Sequence, residues 1–284
     1  MSLPEIASRV GSDRRTRTAL VPATGWGTRL RPLSDTLPKE MLPVGRRVVL
    51  ERILDELSGA GFERTVFVVS PAKEPVLRAR FGSQSEGLKI EYALQPEMRG
   101  LGDAVRRAAP NLAGESDFLV ALGDAIFVEE TPGAILSRLL SADSPIAIAV
   151  QKVPREWLSR FGVVRPAEGA GTPDAPFSIC GLVEKPDPAD APSEFAVAAR
   201  YLLPHAVLDA LKTVAPGKGG EIQLTDAIAA LLDDGAAGVA VPLLPGEVRH
   251  DIGNFETYYQ AFTAFALADP EHGAALRRFI EELI

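Results

Sequence analysis

Ala19-Leu20-Val21-Pro22-Ala23-Thr24-Gly25-Trp26-Gly27-Thr28-Arg29-Leu30-Arg31-Pro32, followed by Leu37-Pro38-Lys39-Glu40-Met41-Leu42-Pro43, is the stretch on which the fold turns. Its apolar start reads as a buried strand. Ala23 and Thr24 then lead into a glycine turn, and Arg29 and Lys39 follow. Glycines let backbone N–H groups approach phosphate oxygens because no Cβ stands in the way. Arginine adds a planar fork of donors and lysine a compact charge. Together they suit a triphosphate. The ordinary alternative is a tight turn flanked by solvated basic residues. The loop is not a Walker A sequence, since no Gly-Lys-Ser/Thr follows. It is not a dinucleotide fingerprint either, because Leu30 stands where the third glycine belongs.

Working outward, strand and helix signals alternate through the first half. Residues 18–23 read as a strand, and 48–60 as a helix with Val49, Ile53, Leu57 and Ala60 on one face. Residues 65–69 form a continuous apolar run, as a strand buried on both faces does. A helix over 73–81, a strand over 90–94, a helix over 102–109 and a strand over 117–122 complete the alternation. This spacing predicts a parallel sheet with right-handed crossovers. The second half is more mixed. Strands are expected at 146–150, 162–165, 177–183, 195–203 and 239–243. Helices are expected at 204–213, 224–233, 255–268 and 272–283, and 168–176 is a loop by composition.

The chain has 284 residues with 46% hydrophobic and 24% charged, which suits a soluble globular enzyme with a large core. No apolar run approaches the roughly 20 residues of a membrane span. Residues 1–16 read as a solvated tail, since the arginines at 14, 15 and 17 precede no signal-like apolar run. Residues 17–284 read as one domain. Its nucleotide-binding half is about 17–150, its sugar-binding half about 151–250, and its C-terminal helices about 254–284. A net charge of −8 argues against a general nucleic-acid surface. Cys180 is the only cysteine, which excludes an intrachain disulfide and fits a cytoplasmic setting. Its apolar neighbours predict a buried, inert thiol.

Ligands of open α/β sheets gather at the carboxyl ends of strands. Four such ends carry suitable groups: the Gly25–Lys39 loop, Gln95 with Gly100, Gly123-Asp124, and Glu184-Lys185. Asp124 ends an apolar strand, where a carboxylate is costly unless something meets it. Mg²⁺ is the natural partner, with Asp251 as the second carboxylate. The competing readings are a capping aspartate for Asp124 and an ordinary turn for Asp251. Lys185 suits a sugar phosphate and Glu184 sugar hydroxyls; a surface ion pair is the alternative. Gln95 can read a base edge by donating and accepting at once, or lie exposed in a loop. The three histidines have no partner at metal-ligand spacing, and no nucleophilic triad is present. Nucleotidyl transfer needs neither.

These motifs carry a resemblance. Gly25-x-Gly27-Thr28-Arg29, Pro38-Lys39-Glu40-Met41-Leu42-Pro43, Gly100-Leu101-Gly102, Phe161-Gly162-Val163-Val164, Val183-Glu184-Lys185-Pro186, Ala191-Pro192-Ser193, Arg200-Tyr201, Gly220-Glu221-Ile222-Gln223-Leu224-Thr225-Asp226-Ala227-Ile228 and His250-Asp251-x-Gly253-Asn254 occur in order. From about residue 17 onward the chain resembles the bacterial UTP–glucose-1-phosphate uridylyltransferases, which are sugar nucleotidyltransferases. The resemblance implies a Rossmann-like nucleotidyltransferase α/β fold, with a mixed, mostly parallel sheet flanked by helices. It implies that UTP and α-D-glucose 1-phosphate give UDP-glucose and pyrophosphate with Mg²⁺.

It also implies roles. Gly25, Gly27, Thr28, Arg29 and Lys39 hold the triphosphate and the leaving pyrophosphate, Ala23 and Thr24 belong with them to the nucleotide site, and Glu40, Gln95 and Gly100 surround the nucleoside. Asp124 and Asp251 bind metal, Gly162 and Glu184 face the sugar, and Lys185 holds its phosphate. Family members often form dimers or tetramers, and the aromatic segment Phe255 to Phe265 suits a homo-oligomer contact or packing onto the core. No membrane or nucleic-acid partner is expected. Three departures stand out. Gly123-Asp124-Ala125-Ile126-Phe127 is closer to thymidylyltransferase relatives, Asp103 replaces a common histidine, and Trp26 is bulky for its position. A dTTP-using or base-tolerant transferase and a non-catalytic nucleotide-sugar binder remain the alternatives.

Overall fold

Residues 16–170, 174–217 and 220–284 are described by the computed structural model. Residues 1–15 of the expected tail and 171–173 of the expected loop lie outside them. Along the chain the strands are β1 (Thr18–Pro22), β2 (Pro43–Val44), β3 (Arg47–Val48), β4 (Arg64–Val69), β5 (Gln84–Ser85), β6 (Leu88–Leu94), β7 (Asp117–Ala121) and β8 (Ala125–Val128). They continue with β9 (Ile146–Lys152), β10 (Gly162–Pro166), β11 (Phe177–Glu184), β12 (Phe195–Pro204), β13 (Gly238–Pro242) and β14 (Val248–Asp251).

Ten of these build one sheet in the order β10-β11-β13-β9-β12-β7-β1-β4-β6-β5. Parallel pairing joins β7 to β1, β1 to β4, β4 to β6, and β9 to β13. The remaining pairs in the sheet are antiparallel, with β12 joining the two parallel groups through β7 and β9. The first half of the chain therefore makes the parallel portion, as the strand–helix alternation predicts. The later strands add a mostly antiparallel extension.

Side-chain alternation explains why these strands sit in the middle. On β1, Ala19 and Val21 enter one core layer and Leu20 the other. On β4, Phe67 and Val69 face one way, Val66 and Val68 the other. A strand apolar on both faces has to be sandwiched. The Val49–Gly59 helix supplies Ile53, Leu54 and Leu57 to the first layer. The Leu101–Arg107 and Leu224–Asp233 helices supply Val105 and Ile228 to the second. Parallel pairing then brings the carboxyl ends of β1, β4, β6 and β7 to one edge. Everything that follows these strands meets there.

Several short elements lay outside the sequence reading, among them β2, β3, β5 and three that bear on the site and its core. β8 and β14 pair antiparallel as a separate two-stranded sheet, with Asp251 opposite Ala125. The Ala134–Leu140 helix is only seven residues long. Each is too short to show a period, and β8 and β14 find each other only across the fold. The expected helix at 204–213 starts at Val207, because β12 continues through Pro204.

Cys180 requires a correction. It is exposed, not buried. On β11, Phe177 and Ile179 point into the core, so period-two alternation turns Ser178 and Cys180 outward.

Candidate active site

The glycine loop is shaped by its own polar groups. Gly27 takes the left-handed region at φ 65°, and Ser34 Oγ donates to its carbonyl at 2.7 Å. A Cβ on Gly27 would lie 3.2 Å from Lys39 Cβ. A Cβ on Gly25 would lie 3.7 Å from Lys39 Nζ. Lys39 therefore runs back across both glycines, and a side chain at Gly27 would crowd it. Its ammonium reaches Asp124 Oδ2 at 2.5 Å. Burial works against the lysine charge, but Asp124, Glu40 and Asp251 more than offset it, so its pKa lies above the usual lysine value.

Gly123 carries Asp124 to this point. Its N–H donates to Pro22 O at 3.1 Å, and a Cβ there would meet the same oxygen at 2.6 Å. Only glycine lets the ends of β7 and β1 approach so closely. Burial disfavours the Asp124 charge, yet Lys39 and then Arg249 hold its carboxyl below the usual aspartate range. Asp251 behaves oppositely. Burial and the neighbouring Asp124 charge push it up, and Arg249 and Lys39 only partly counter this. Ile252 N–H donates to Asp124 O at 2.8 Å, and a Cβ on Gly253 would lie 2.3 Å from Asp251 Oδ1 and 3.4 Å from Arg29 Nη2. A side chain at Gly253 would collide with Asp251 and press on Arg29. Next in the chain, Asn254 caps the Phe255–Leu267 helix by accepting from Thr257 N–H at 3.0 Å. Tyr258 of that helix donates to Pro43 O at 3.0 Å, which docks it on the Pro38–Pro43 segment.

A cleft of about 200 Å³ opens at this edge, with Thr24, Gly25, Lys39, Glu40, Gly100 and Asp124 in its wall. Glu40 turns both carboxylate oxygens to Lys73 Nζ, at 2.7 and 3.0 Å. Lys73 also donates to Ala23 O at 3.0 Å and to Gly25 O. The pair thereby pins the loop's carbonyls to its underside. Burial, the dominant influence on both, raises the Glu40 pKa and lowers that of Lys73. Ala23 is buried beside them, Thr28 and Arg29 are exposed, and Gln95 lies enclosed against Gly100. Trp26 is half-exposed and not packed beneath the loop.

The other sugar-half candidates gather on β10 and β11. Gly162 pairs with Glu184, and a Cβ at Gly162 would lie 3.6 Å from Glu184 Oε2. Glu184 accepts from Thr225 Oγ1 at 3.1 Å and pairs with Lys185 Nζ at 3.2 Å. Lys185 holds φ at 44°, unusual for a residue with a Cβ and more so before proline. Such strain costs on the order of 1–3 kcal/mol and clusters at functional sites. The segment carrying Thr225 also reaches the nucleotide side. Gly102 N–H donates to Ile222 O at 2.8 Å, and Ile222 N–H to Arg99 O at 2.7 Å. The Glu221-to-Asp226 motif thus ties the Gly100 loop to Glu184.

Sequence reasoning missed several groups. Arg249 Nη2 donates to Asp251 Oδ2 at 2.8 Å, its guanidinium lies 5.4 Å from the Phe161 ring centre, and its enclosed Nε has no partner among the described residues. Only the folded β14 shows why: strand alternation puts 249 and 251 on one face and turns His250 toward Phe265. Tyr201 lies within reach of the Glu184, Arg249 and Asp124 charges, and burial pushes its hydroxyl well up. Arg200, wholly enclosed, forms a bidentate pair with Glu56 at 2.9 and 2.6 Å. It also donates to the carbonyls of Leu122 and Ala125 on either side of Gly123-Asp124, at 3.5 and 2.9 Å.

Comparison with known proteins bears on the family and the fold. The family model described as "Nucleotidyl transferase" matches residues 18–267. UTP–glucose-1-phosphate uridylyltransferase YngB of Bacillus subtilis (strain 168) is 32% identical over 95% of this chain and 96% of its own length. A UDP-glucose pyrophosphorylase solved in complex with UDP-glucose superimposes with a TM-score of 0.79 at 29% identity, covering 88% of this chain and 98% of that one. The UTP-bound UGPase of Acinetobacter baumannii gives 0.80 at 29% identity, covering 95% and 100%. The chain belongs to the nucleotidyl transferase family, among the bacterial UTP–glucose-1-phosphate uridylyltransferases.

Proposed function

We propose that the protein transfers a uridylyl group from UTP to α-D-glucose 1-phosphate, releasing pyrophosphate. The observation that carries this reading is the meeting of Lys39, Asp124 and the Gly25 loop in one cleft, in a chain whose relatives bear that activity in their names. A sugar-phosphate oxygen attacks the α-phosphorus in line, and pyrophosphate leaves from the opposite side. Both reactants are anions, so their approach is repulsive until neutralised. Lys39 and Arg29 meet the triphosphate and the leaving pyrophosphate, and Lys185 meets the sugar phosphate. Glu184, held by Thr225, accepts from sugar hydroxyls beside Gly162, where a side chain would crowd the ring. Gln95 and Gly100 bound the uracil. The Glu40–Lys73 pair keeps the loop in shape before substrate arrives.

Asp124 and Asp251 fit Mg²⁺. They are close enough for one to raise the other's pKa, and each is now balanced by a cationic side chain. Among the described residues no group of three or more potential ligands gathers. Mg²⁺ takes one or two carboxylates and completes its shell with phosphate oxygens and water. When bound, the ion would neutralise charge on the phosphates.

A pyrophosphate-release assay over UTP, dTTP, CTP and GTP, each with several sugar 1-phosphates, tests the reading. The highest kcat/KM is expected for UTP with α-D-glucose 1-phosphate. A higher value for dTTP would make the protein a thymidylyltransferase, and tight UDP-glucose binding without turnover a sensor. Uracil and thymine differ by one methyl, worth only about 10–200-fold.

No helix among the described residues is long and apolar enough to cross a membrane. We further infer a cytoplasmic homodimer or homotetramer. Exposed Tyr259, Phe262 and Phe279 on the two C-terminal helices support the contact. Light scattering should give a multiple of the 30.3 kDa chain mass, and a strict monomer would refute it.

A further inference from the structure

Gln95 follows the end of β6 and is almost fully enclosed. Its amide nitrogen donates to Gly100 O at 3.1 Å and to Asp103 Oδ2 at 3.0 Å. A carbonyl and a carboxylate only accept, so the NH₂ end of the amide must face them. Turned over, the amide would set its oxygen against two others. Asp103 is itself wholly buried, and Arg106 and Arg107 hold it from the same helix at 2.7 and 3.6 Å. Burial opposes its charge, but the hydrogen bonds from Gln95 and Arg106 and the two guanidinium charges keep it below the usual aspartate range. It is therefore an acceptor and not a carboxylic acid. Gln95 Oε1 accepts from no donor among the described residues, and it is not one of the sealed orphan atoms. Gly100 and Ala104, on either side of Asp103 in the chain, line the cleft.

We propose that Asp103 determines base choice by locking the Gln95 amide, so that Oε1 alone is offered to the base. Such a site demands an N–H on the base edge. Uracil supplies one at N3, whereas cytosine presents a lone pair there. The lock does not separate uracil from thymine, since both carry N3–H. Asp103 is a positioning residue that acts through Gln95. The inference rests on the cleft being the nucleotide site.

The test compares kcat/KM for UTP and CTP in Asp103→Asn. The variant keeps the shape, but its own NH₂ can donate to Gln95 Oε1, so that Gly100 O alone still opposes the turned-over amide. The UTP:CTP ratio is expected to fall about tenfold or more, the scale of one hydrogen bond, while the KM for glucose 1-phosphate stays unchanged. An unchanged ratio in the folded variant overturns the proposal. The wild-type protein with N3-methyl-UTP provides the separate arm. Turnover equal to that of UTP would sink the base-site reading and the role of Asp103 with it. Discrimination by the wild type, together with an unchanged ratio in Asp103→Asn, sinks the Asp103 proposal alone. If Asp103→Asn does not fold, NMR exchange of the wild-type Gln95 side-chain amide decides. Both protons should exchange slowly, and fast exchange of both refutes the lock.

Discussion

Asp124→Ala and Lys185→Ala are each expected to lower kcat by about 10²–10³-fold, the usual effect of removing one pre-positioned charge from a reacting centre. The two act at different ends of the site. Asp124 is partly buried, pairs with Lys39 at 2.5 Å and lies close to Asp251. Its loss leaves Lys39 without its main partner and halves the pair of carboxylates suited to Mg²⁺. Lys185 is half-exposed and its side chain pairs with Glu184, while its backbone N–H bond to Phe161 O does not depend on the side chain, so its truncation should leave the fold intact. Its φ of 44° strengthens the expectation, because nothing in the packing of an exposed lysine needs a left-handed backbone. The KM for glucose 1-phosphate should rise in Lys185→Ala more than in Asp124→Ala. Near-normal turnover in either purified, folded variant would remove that residue from the mechanism.

The second large effect is on stability. Arg200→Met is expected to cost about 3–5 kcal/mol, read as a lowered midpoint in urea, because it strands Glu56 as an unpaired buried carboxylate. That is a large share of the roughly 5–15 kcal/mol that holds a domain together. The double variant Glu56→Leu/Arg200→Met should lose much less, since a buried pair replaced by apolar groups of similar volume is often near neutral. Activity separates a second role. Arg200 also donates to Leu122 O and Ala125 O around the Gly123-Asp124 turn, and its guanidinium lies 4.7 Å from the Phe127 ring centre. The double variant should therefore regain stability but not turnover. Full recovery of both would show that the turn holds itself.

Arg200 also illustrates what could be read in advance and what could not. Arg200-Tyr201 was visible as a family marker, yet nothing in the sequence joins it to Glu56. The link depends on the bulge in β12 between Val197 and Tyr201, where Ala199 takes φ 63°. Lys73 is a similar case. It opens a surface-looking helix but ends up bonded to Ala23 and Gly25 of the glycine loop and to Glu40. Asp103 was noted only as a departure from a common histidine. Its link to Gln95 needs the turn between β6 and the next helix.

Local order along the chain determined the elements and the candidate residues. Apolar runs of period one or two have to be strands buried on two faces or one. Glycine beside Arg29 and Lys39, Asp124 after an apolar strand, and Lys185 before Pro186 are chemically expensive or permissive choices that a single sequence displays. Tertiary structure alone decided the partners. It set Lys39 on Asp124, Arg249 on Asp251, Lys73 on Glu40 and Asp103 on Gln95. Periodicity is a property of neighbours along the backbone, whereas the pairing of a charge depends on which strand edge, bulge or glycine gap places its opposite within about 3 Å.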